Sequence, residues 1–233
     1  MHDILIVPDV HGRDFWKPAL EYKGEVIFLG DYVDPYPYEN ISDEDACQGL
    51  LEIIDFKQKN PDRVTLLIGN HEFHYYDSNF QYSRFSEDYY ERFNELLTQA
   101  TTADLFQVCK QIDNYLFIHA GITKEWYNLH QDLLLRYGTT LEEQINNLFI
   151  DDKMPFSEIS YYRGGLSAFG SPLWADIDEF VDESEPFNND IIQVVGHTQN
   201  MRTTSLKIKN VRLLDNRQLY LLSNGQFRDY SRQ

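Results

Sequence analysis

The 233-residue chain has little that would cross-link it, anchor it or leave it unfolded. It holds two cysteines, Cys47 and Cys109, far apart and in no CxxC pattern. That excludes a disulfide framework and a zinc ribbon, and both thiols are expected on helix faces as small hydrophobes. No stretch reaches the ~18 apolar residues of a membrane span. No basic segment precedes the strand-like start at Asp3 and no cleavage site follows it, so a cytoplasmic location is expected. Positive charge is scarce: 20 basic against 38 acidic side chains give a net charge of −18. Such a surface repels a nucleic-acid backbone at long range, which speaks against a general nucleic-acid binder. Catalysis on phosphates is still open, because bound divalent cations reverse the local field. Internal repeats, low-complexity tracts and Gly/Ser linkers are also missing, so one domain over 1–233 is expected.

What is present is a core. Apolar residues make up 42% of the chain and aromatics 15%, far from the composition of disorder. Short continuous apolar runs at 4–7, 26–29, 64–68, 115–118 and 191–195 have the pattern of strands buried on both faces. Amphipathic stretches at 46–57, 89–97 and 105–112 predict helices between them. Strand alternating with helix means α/β. The tail changes character: strand-like pieces at 201–208, 211–215 and 219–223 predict a β-meander that extends or closes a second sheet. Residues 151–155 predict a polar loop, and the acid-rich stretch 176–189 a solvated surface loop.

Each apolar run ends in polar residues with chemistry. In order they are Asp9-x-His11, Gly30-Asp31-x-x-Asp34, Gly69-Asn70-His71-Glu72, His119-Ala120-Gly121 and Gly196-His197-Thr198. Sites in open α/β folds assemble just beyond the carboxyl ends of the strands. Oxygen and imidazole donors in this mix suit manganese, iron or zinc better than calcium. Each block alone is weak, since Asp31 and Asp34 alone read as turn or cap residues, and His119 or His197 alone as a satisfied core histidine. Their common order, each directly after an apolar run, carries the argument.

The set DVHG, GDYVD, GNHE, HAG and GHT resembles the calcineurin-like metallophosphoesterases, and within them the phosphoprotein phosphatases, across residues 4–198. The resemblance implies a four-layer α/β/β/α sandwich of two mixed sheets flanked by helices. It implies two divalent metal ions, manganese first, with Asp9, His11 and Asp31 on one. Asp31 bridges to the other, which Asn70, His119 and His197 complete. It implies a metal-bridging hydroxide as nucleophile and His71, oriented by Asp34, as general acid. A carboxylate beside an imidazole is expected to keep that imidazole protonated. Glu72 reads as a structural hydrogen-bond acceptor.

The chain departs from the family where phosphate is gripped. The usual Arg-Gly after GDxxD is Pro35-Tyr36 here, and no arginine follows Pro172-Leu173-Trp174-Ala175-Asp176 until Arg202. A phosphate dianion still calls for a guanidinium fork. Arg163, in Tyr162-Arg163-Gly164-Gly165, is the first candidate, and Arg13, directly after Asp-Val-His-Gly, the second. His74, Tyr75, Tyr76, Tyr82, Phe85, Tyr89 and Tyr90 read as a secondary aromatic core, Trp174 as packing, and His2 and His130 as surface residues. The expected substrate is a phosphorylated protein or small phosphoester. The alternatives are a phosphoanhydride or phosphodiester hydrolase resembling bis(nucleosyl)tetraphosphatases, and a non-catalytic scaffold that keeps the fold.

Overall fold

A computed structural model describes residues 3–76, 79–183, 187–199, 206–208 and 210–230. In chain order the elements are β1 (Ile4–Val7), β2 (Glu25–Phe28), α1 (Asp43–Lys59), β3 (Val64–Leu67), α2 (Asn70–Tyr76), α3 (Tyr90–Thr102), β4 (Phe106–Gln107), β5 (Cys109–Ile112), β6 (Tyr115–Ile118), α4 (Lys124–Leu134), α5 (Leu141–Asp151), β7 (Ile192–Val195), β8 (Leu206–Ile208), β9 (Val211–Leu213), β10 (Tyr220–Ser223) and β11 (Gln226–Asp229). They divide into two units, Met1–Gln107 with Arg217–Gln233, and Val108–Asn216.

The first unit carries a six-stranded sheet in the order β11-β10-β1-β2-β3-β4. Strands β1 to β4 are parallel, and β10 joins β1 antiparallel with Leu5 opposite Leu221. Ile4, Leu5, Ile6 and Val7 are wholly buried, as an interior parallel strand requires. Helix α1 starts at a capping box in which Ser42 and Asp45 satisfy each other's backbone N–H. It buries Ala46, Cys47, Leu50, Ile53, Ile54 and Phe56, one face at helical spacing, and packs against β3. The second unit carries a five-stranded sheet, β5-β6-β7-β9-β8, with β6, β7 and β9 parallel and both edges antiparallel. Helix α5, capped by Thr140 and Glu143, packs against β5. Two mixed sheets, each with helices against it, meet the α/β expectation. Among the described residues no helix is long and apolar enough to cross a membrane.

Four local expectations are corrected. Residues 105–112 are not a helix. Phe106 and Gln107 pair with Leu66 and Leu67, and Cys109–Ile112 forms a hairpin with β6 across Asp113-Asn114. Apolar residues at 105, 106, 108, 109 and 112 fit both periods, and the turn signal at 113–114 was the arbiter. Cys109 therefore lies buried in a strand, whereas Cys47 is on a helix face as expected. The tail is not one meander: β8 and β9 join the second sheet, while β10 and β11 join the first. The expected strand residues 201–205 lie outside the described ones. The stretch from 176 is no solvated loop, for Glu179 and Phe180 are buried. The Glu179 carboxylate accepts from the Gly170 and Asp176 amides.

Candidate active site

In the first unit a buried polar cluster stands at the carboxyl ends of β1, β2 and β3. After β1 the chain turns through His11 (φ 47°) and Gly12 (φ 74°). A side chain at Gly12 would meet Ile41 at 2.9 Å. The amides of Val10 and His11 donate to the Asp31 carbonyl at 2.9 and 2.7 Å, and Gly12 N to the Tyr32 carbonyl at 2.9 Å. These bonds zip the β1 turn to the β2 turn. Gly69, after β3, is needed for space: a Cβ there would fall 2.1 Å from Asp31 Oδ1.

Glu72 holds the two turns together, as expected of it. Its wholly buried carboxylate accepts from the amides of Asp31 (2.8 Å), Tyr32 (2.7 Å) and Gly69 (2.9 Å). With its backbone so fixed, Asp31 accepts the His71 amide on Oδ1 at 3.0 Å and sets Oδ2 3.5 Å from His11 Nε2. His11 spends Nδ1 on the Val33 carbonyl at 2.9 Å. A carbonyl only accepts, so Nδ1 carries the proton and Nε2 presents its lone pair toward Asp31. Asp9 and Asn70, directly after β1 and at the start of α2, are buried as well.

Burial dominates the electrostatics of this cluster. Burial holds the His11 imidazole well below its usual pKa, and His71 and Arg84 add to the effect. Burial pushes the Asp31 carboxyl well above the carboxylate range, helped by Glu72. A divalent ion between them would reverse the shift of Asp31 and deepen that of His11, because a cation disfavours the protonated form of each. His11, Asp31 and His71 each offer a ligand atom, all within 4.8 Å of one another. The oxygen–imidazole donor set thus fits the metal that the motifs imply.

Beside it lies a second cluster around Asp34, which is fully buried. Its Oδ2 accepts from His71 Nδ1 at 2.7 Å and from His74 Nε2 at 2.6 Å, and Oδ1 accepts the Tyr75 hydroxyl at 2.5 Å. Burial opposes ionisation of Asp34, but the two imidazole bonds outweigh it and lower its pKa. The pairing of His71 with Asp34 is present, but the expected effect on His71 is reversed. Burial pulls its pKa down to about 4, more than Asp34 can offset, and Arg84 pulls further. Burial thus favours the neutral His71 ring. His74, read from sequence as part of an aromatic core, is Asp34's second imidazole. It packs edge-on to Phe85 and Tyr75.

The second unit contributes its own pair. His119 ends β6 and His197 follows β7, on neighbouring parallel strands joined beyond their ends by Gly196 N to the His119 carbonyl. Their ring nitrogens, His119 Nε2 and His197 Nδ1, lie 3.1 Å apart, and both residues are buried. Trp174 packs edge-on to His197. Phe180 fills the space beside Gly121, where a Cβ would meet its ring at 2.8 Å. Among the described residues, the non-glycine, non-Asn/Asp residues with left-handed φ are His11, Arg84, His197 and Arg217. Three of these stand in or beside the clusters, where strained backbone tends to collect.

Neither phosphate-grip candidate is unengaged. Arg163 pairs with Asp176 at 2.5 Å and donates to Thr198, one residue past His197. Asp176 also accepts the Asp178 amide, so it serves as turn cap and counter-ion at once. Arg13 is held by Glu39 at 2.8 Å, with its guanidinium over the Tyr36 ring. His130 pairs with Glu158 and is not a bare surface residue, while His2 lies outside the described residues. A cation that reaches the clusters side chain to side chain is Arg84, which no motif marks. Its Nη2 lies 2.8 Å from His71 Nε2 and 3.5 Å from His11 Nε2.

Comparison with known proteins bears on the same residues. The profile of the calcineurin-like phosphoesterases matches residues 2–201. The catalytic subunit of serine/threonine-protein phosphatase 4 from Candida glabrata is 26% identical over 182 residues, 76% of this chain and 50% of that protein. The same subunit from Eremothecium gossypii is 25% identical over the same shares. The chain therefore spans about half the length of these relatives. Among solved structures, a cold-active protein-tyrosine phosphatase of a psychrophilic Shewanella superposes with a TM-score of 0.61 at 19% identity, over 97% of this chain and 77% of that one. A Saccharomyces cerevisiae protein serine/threonine phosphatase similar to human phosphatase PP5 gives 0.58 at 17%, over 96% and 73%. At such identities these two speak for the fold alone. With the profile covering most of its length, the chain belongs to the calcineurin-like phosphoesterases, a family of metal-dependent enzymes.

Proposed function

We propose that this chain is a metal-dependent phosphomonoesterase of the serine/threonine protein-phosphatase type, acting in the cytoplasm on a phosphorylated protein or small phosphoester. Asp9, His11, Asp31, Asn70, His119 and His197 are its metal ligands in this reading. The observation that carries the reading is the buried His11–Asp31 pair. One imidazole nitrogen is spent on a carbonyl, and the other faces a carboxylate oxygen at 3.5 Å, a donor pair set for a cation. Two divalent ions, manganese first with iron or zinc also suited to these donors, would neutralise phosphoryl charge and acidify bound water.

The chain's own side chains do the rest. Asp34 holds the His71 ring by Nδ1, so Nε2 faces away from Asp34. That nitrogen gives its proton to the departing alkoxide. It must first gain one, since burial leaves it neutral in the free protein. A substrate dianion beside it favours the protonated ring, as an opposite charge does for any base. His74 and Tyr75 keep Asp34 ionised and fixed.

The test is metal analysis of protein purified with manganese, and turnover of p-nitrophenyl phosphate, bis-p-nitrophenyl phosphate, a phosphopeptide and a dinucleoside polyphosphate. Bound metal with preference for the monoesters is expected. Preference for the diester or polyphosphate would move the chain to the diesterase or anhydride class. A folded, metal-free, inert protein would leave the scaffold.

A further inference from the structure

We propose that Arg84 is the phosphate clamp of this chain: from the loop after α2 its guanidinium grips oxygens of the phosphoryl group. The proposal rests on the phosphoesterase reading and adds to it a residue that the motifs do not contain.

Three observations carry it. The first is place. Arg84 Nη2 sits 2.8 Å from the His71 nitrogen that faces away from Asp34, and 3.5 Å from His11 Nε2. A group bound between the metal ligands and His71 meets this guanidinium. The second is charge. In a chain with 18 more acids than bases, Arg13 is paired with Glu39, which it shares with Arg217, and Arg163 with Asp176. Among the described residues no carboxylate pairs with Arg84, and its buried Nε has no hydrogen-bond partner. A buried donor left unsatisfied costs about 1–3 kcal/mol. It is retained here at the point where a dianion would satisfy it, and two phosphoryl oxygens suit the fork of Nε and a terminal nitrogen.

The third is orientation. The guanidinium lies 3.7 Å from the centroid of the Tyr36 ring, which itself stands edge-on to His11 at 5.1 Å. Stacking fixes the plane of the guanidinium and leaves its N–H edges available. Tyr36 follows Pro35, where the resemblance would place an arginine. There the chain supplies a platform in place of a cation, and Arg84 arrives on it from the loop. That loop is fastened to the Asp34 cluster, since Ser86 N donates to the Tyr75 hydroxyl at 2.9 Å and Ser86 Oγ to Asp43 at 2.7 Å. On the far side, Arg84 borders an open groove of about 550 Å³ with Pro35, Pro37, Phe85 and Tyr89, which leaves room for the body of the ester.

The experiment compares wild type, Arg84→Ala and Arg84→Lys, all loaded with manganese. It reads metal content, kcat/KM for p-nitrophenyl phosphate and the inhibition constant of inorganic phosphate. Expected for Arg84→Ala are unchanged metal content, a kcat/KM loss of about a hundredfold or more, and phosphate inhibition at least about tenfold weaker, the scale of two charge-assisted hydrogen bonds. Arg84→Lys keeps the charge without the fork and should fall between. It also carries the test if the alanine variant does not fold. Phosphate inhibition equal to wild type in a folded Arg84 variant overturns the proposal. So does loss of metal in both variants. If wild type turns over no phosphoester, the phosphoesterase reading fails separately. Calorimetric binding of inorganic phosphate then decides on Arg84: binding to wild type and not to Arg84→Ala supports it, and equal binding or none overturns it.

Discussion

The two units hold their polar clusters by different means. In the first, every turn that carries a donor is fastened to another turn. Glu72 alone takes the amides of Asp31, Tyr32 and Gly69, and the Asp31 carbonyl takes those of Val10 and His11. In the second, His119 and His197 ride on adjacent parallel strands and are aligned by the sheet itself, with one amide bond beyond the strand ends and Trp174 against a ring. The first is a clamped cage and the second a pair of strand ends. Damage behind the donors should therefore spread further in the first unit than in the second.

The largest expected effect is that of Asp31→Asn. The amide keeps the shape and can still accept the His71 N–H, but the charge facing His11 is lost. Outer partners of metal ligands cost about 10–100-fold when removed, so under the proposed ligand set the loss should exceed about a hundredfold in turnover and in metal retention. Metal analysis alongside kcat checks it, and full metal content would deny Asp31 its role. Glu72→Gln comes next. It touches no metal ligand side chain, yet its amide turns one accepting oxygen into a donor facing backbone N–H groups. A loss of about 10–100-fold in activity and about 1–3 kcal/mol in stability is expected. Thermal unfolding with chelator and with manganese separates the two. A neutral outcome would break the picture of a clamped cage.

How much of this could be read from the chain follows the same division between local and distant causes. The ends of β1, β2, β3, β6 and β7 were legible because the apolar run and the polar block that ends it are contiguous, and burial follows from the run. Glu72 could be assigned as an acceptor because it stands inside the GNHE block. Residues 105–112 were not legible: a short apolar stretch satisfies both periods, and only pairing with β3 and β6 makes it two strands. Asp34's second imidazole was hidden because His74 sits one helical turn after Asn70 among aromatic neighbours, where a core histidine is the ordinary expectation. Arg84 was hidden more deeply. Its place depends on the path of the loop from 79 to 89 and on a ring 48 positions earlier in the chain, Tyr36, and no local pattern encodes either.

A smaller effect, graded by pH, separates burial from metal binding. In the metal-free protein His11 and His71 have pKa values below the unfolded value near 6.5, His71 at about 4. Between those limits the unfolded chain binds more protons at these two rings than the folded one, so their contribution to stability rises with pH and falls as pH drops below about 6.5. Each imidazole contributes a slope of about 1.4 kcal/mol per pH unit in that window. Urea unfolding of chelated protein from pH 7 to 4.5 reads it, and His71→Gln should remove one share. The buried Asp31 and Glu72 carboxyls, pushed up by burial, slope the other way in this window, so the readout is the difference between wild type and His71→Gln, and no difference would mean that the fold does not hold that ring neutral.

The smallest expected effect belongs to the second unit, and to the residue that sequence reasoning favoured as the phosphate grip. Arg163 is tied to Asp176 and Thr198, with a quarter of its side chain exposed. A partly exposed ion pair is worth up to about 1 kcal/mol, close to fivefold in an equilibrium. Arg163→Ala should therefore raise KM by no more than about fivefold, with kcat and metal content near wild type. This is well below the loss expected for Arg84→Ala. If instead Arg163→Ala removes most of the activity while metal remains bound, the Asp176 pair is a resting state that substrate displaces. The grip on phosphate would then lie at the strand ends of the second unit rather than in the cage of the first.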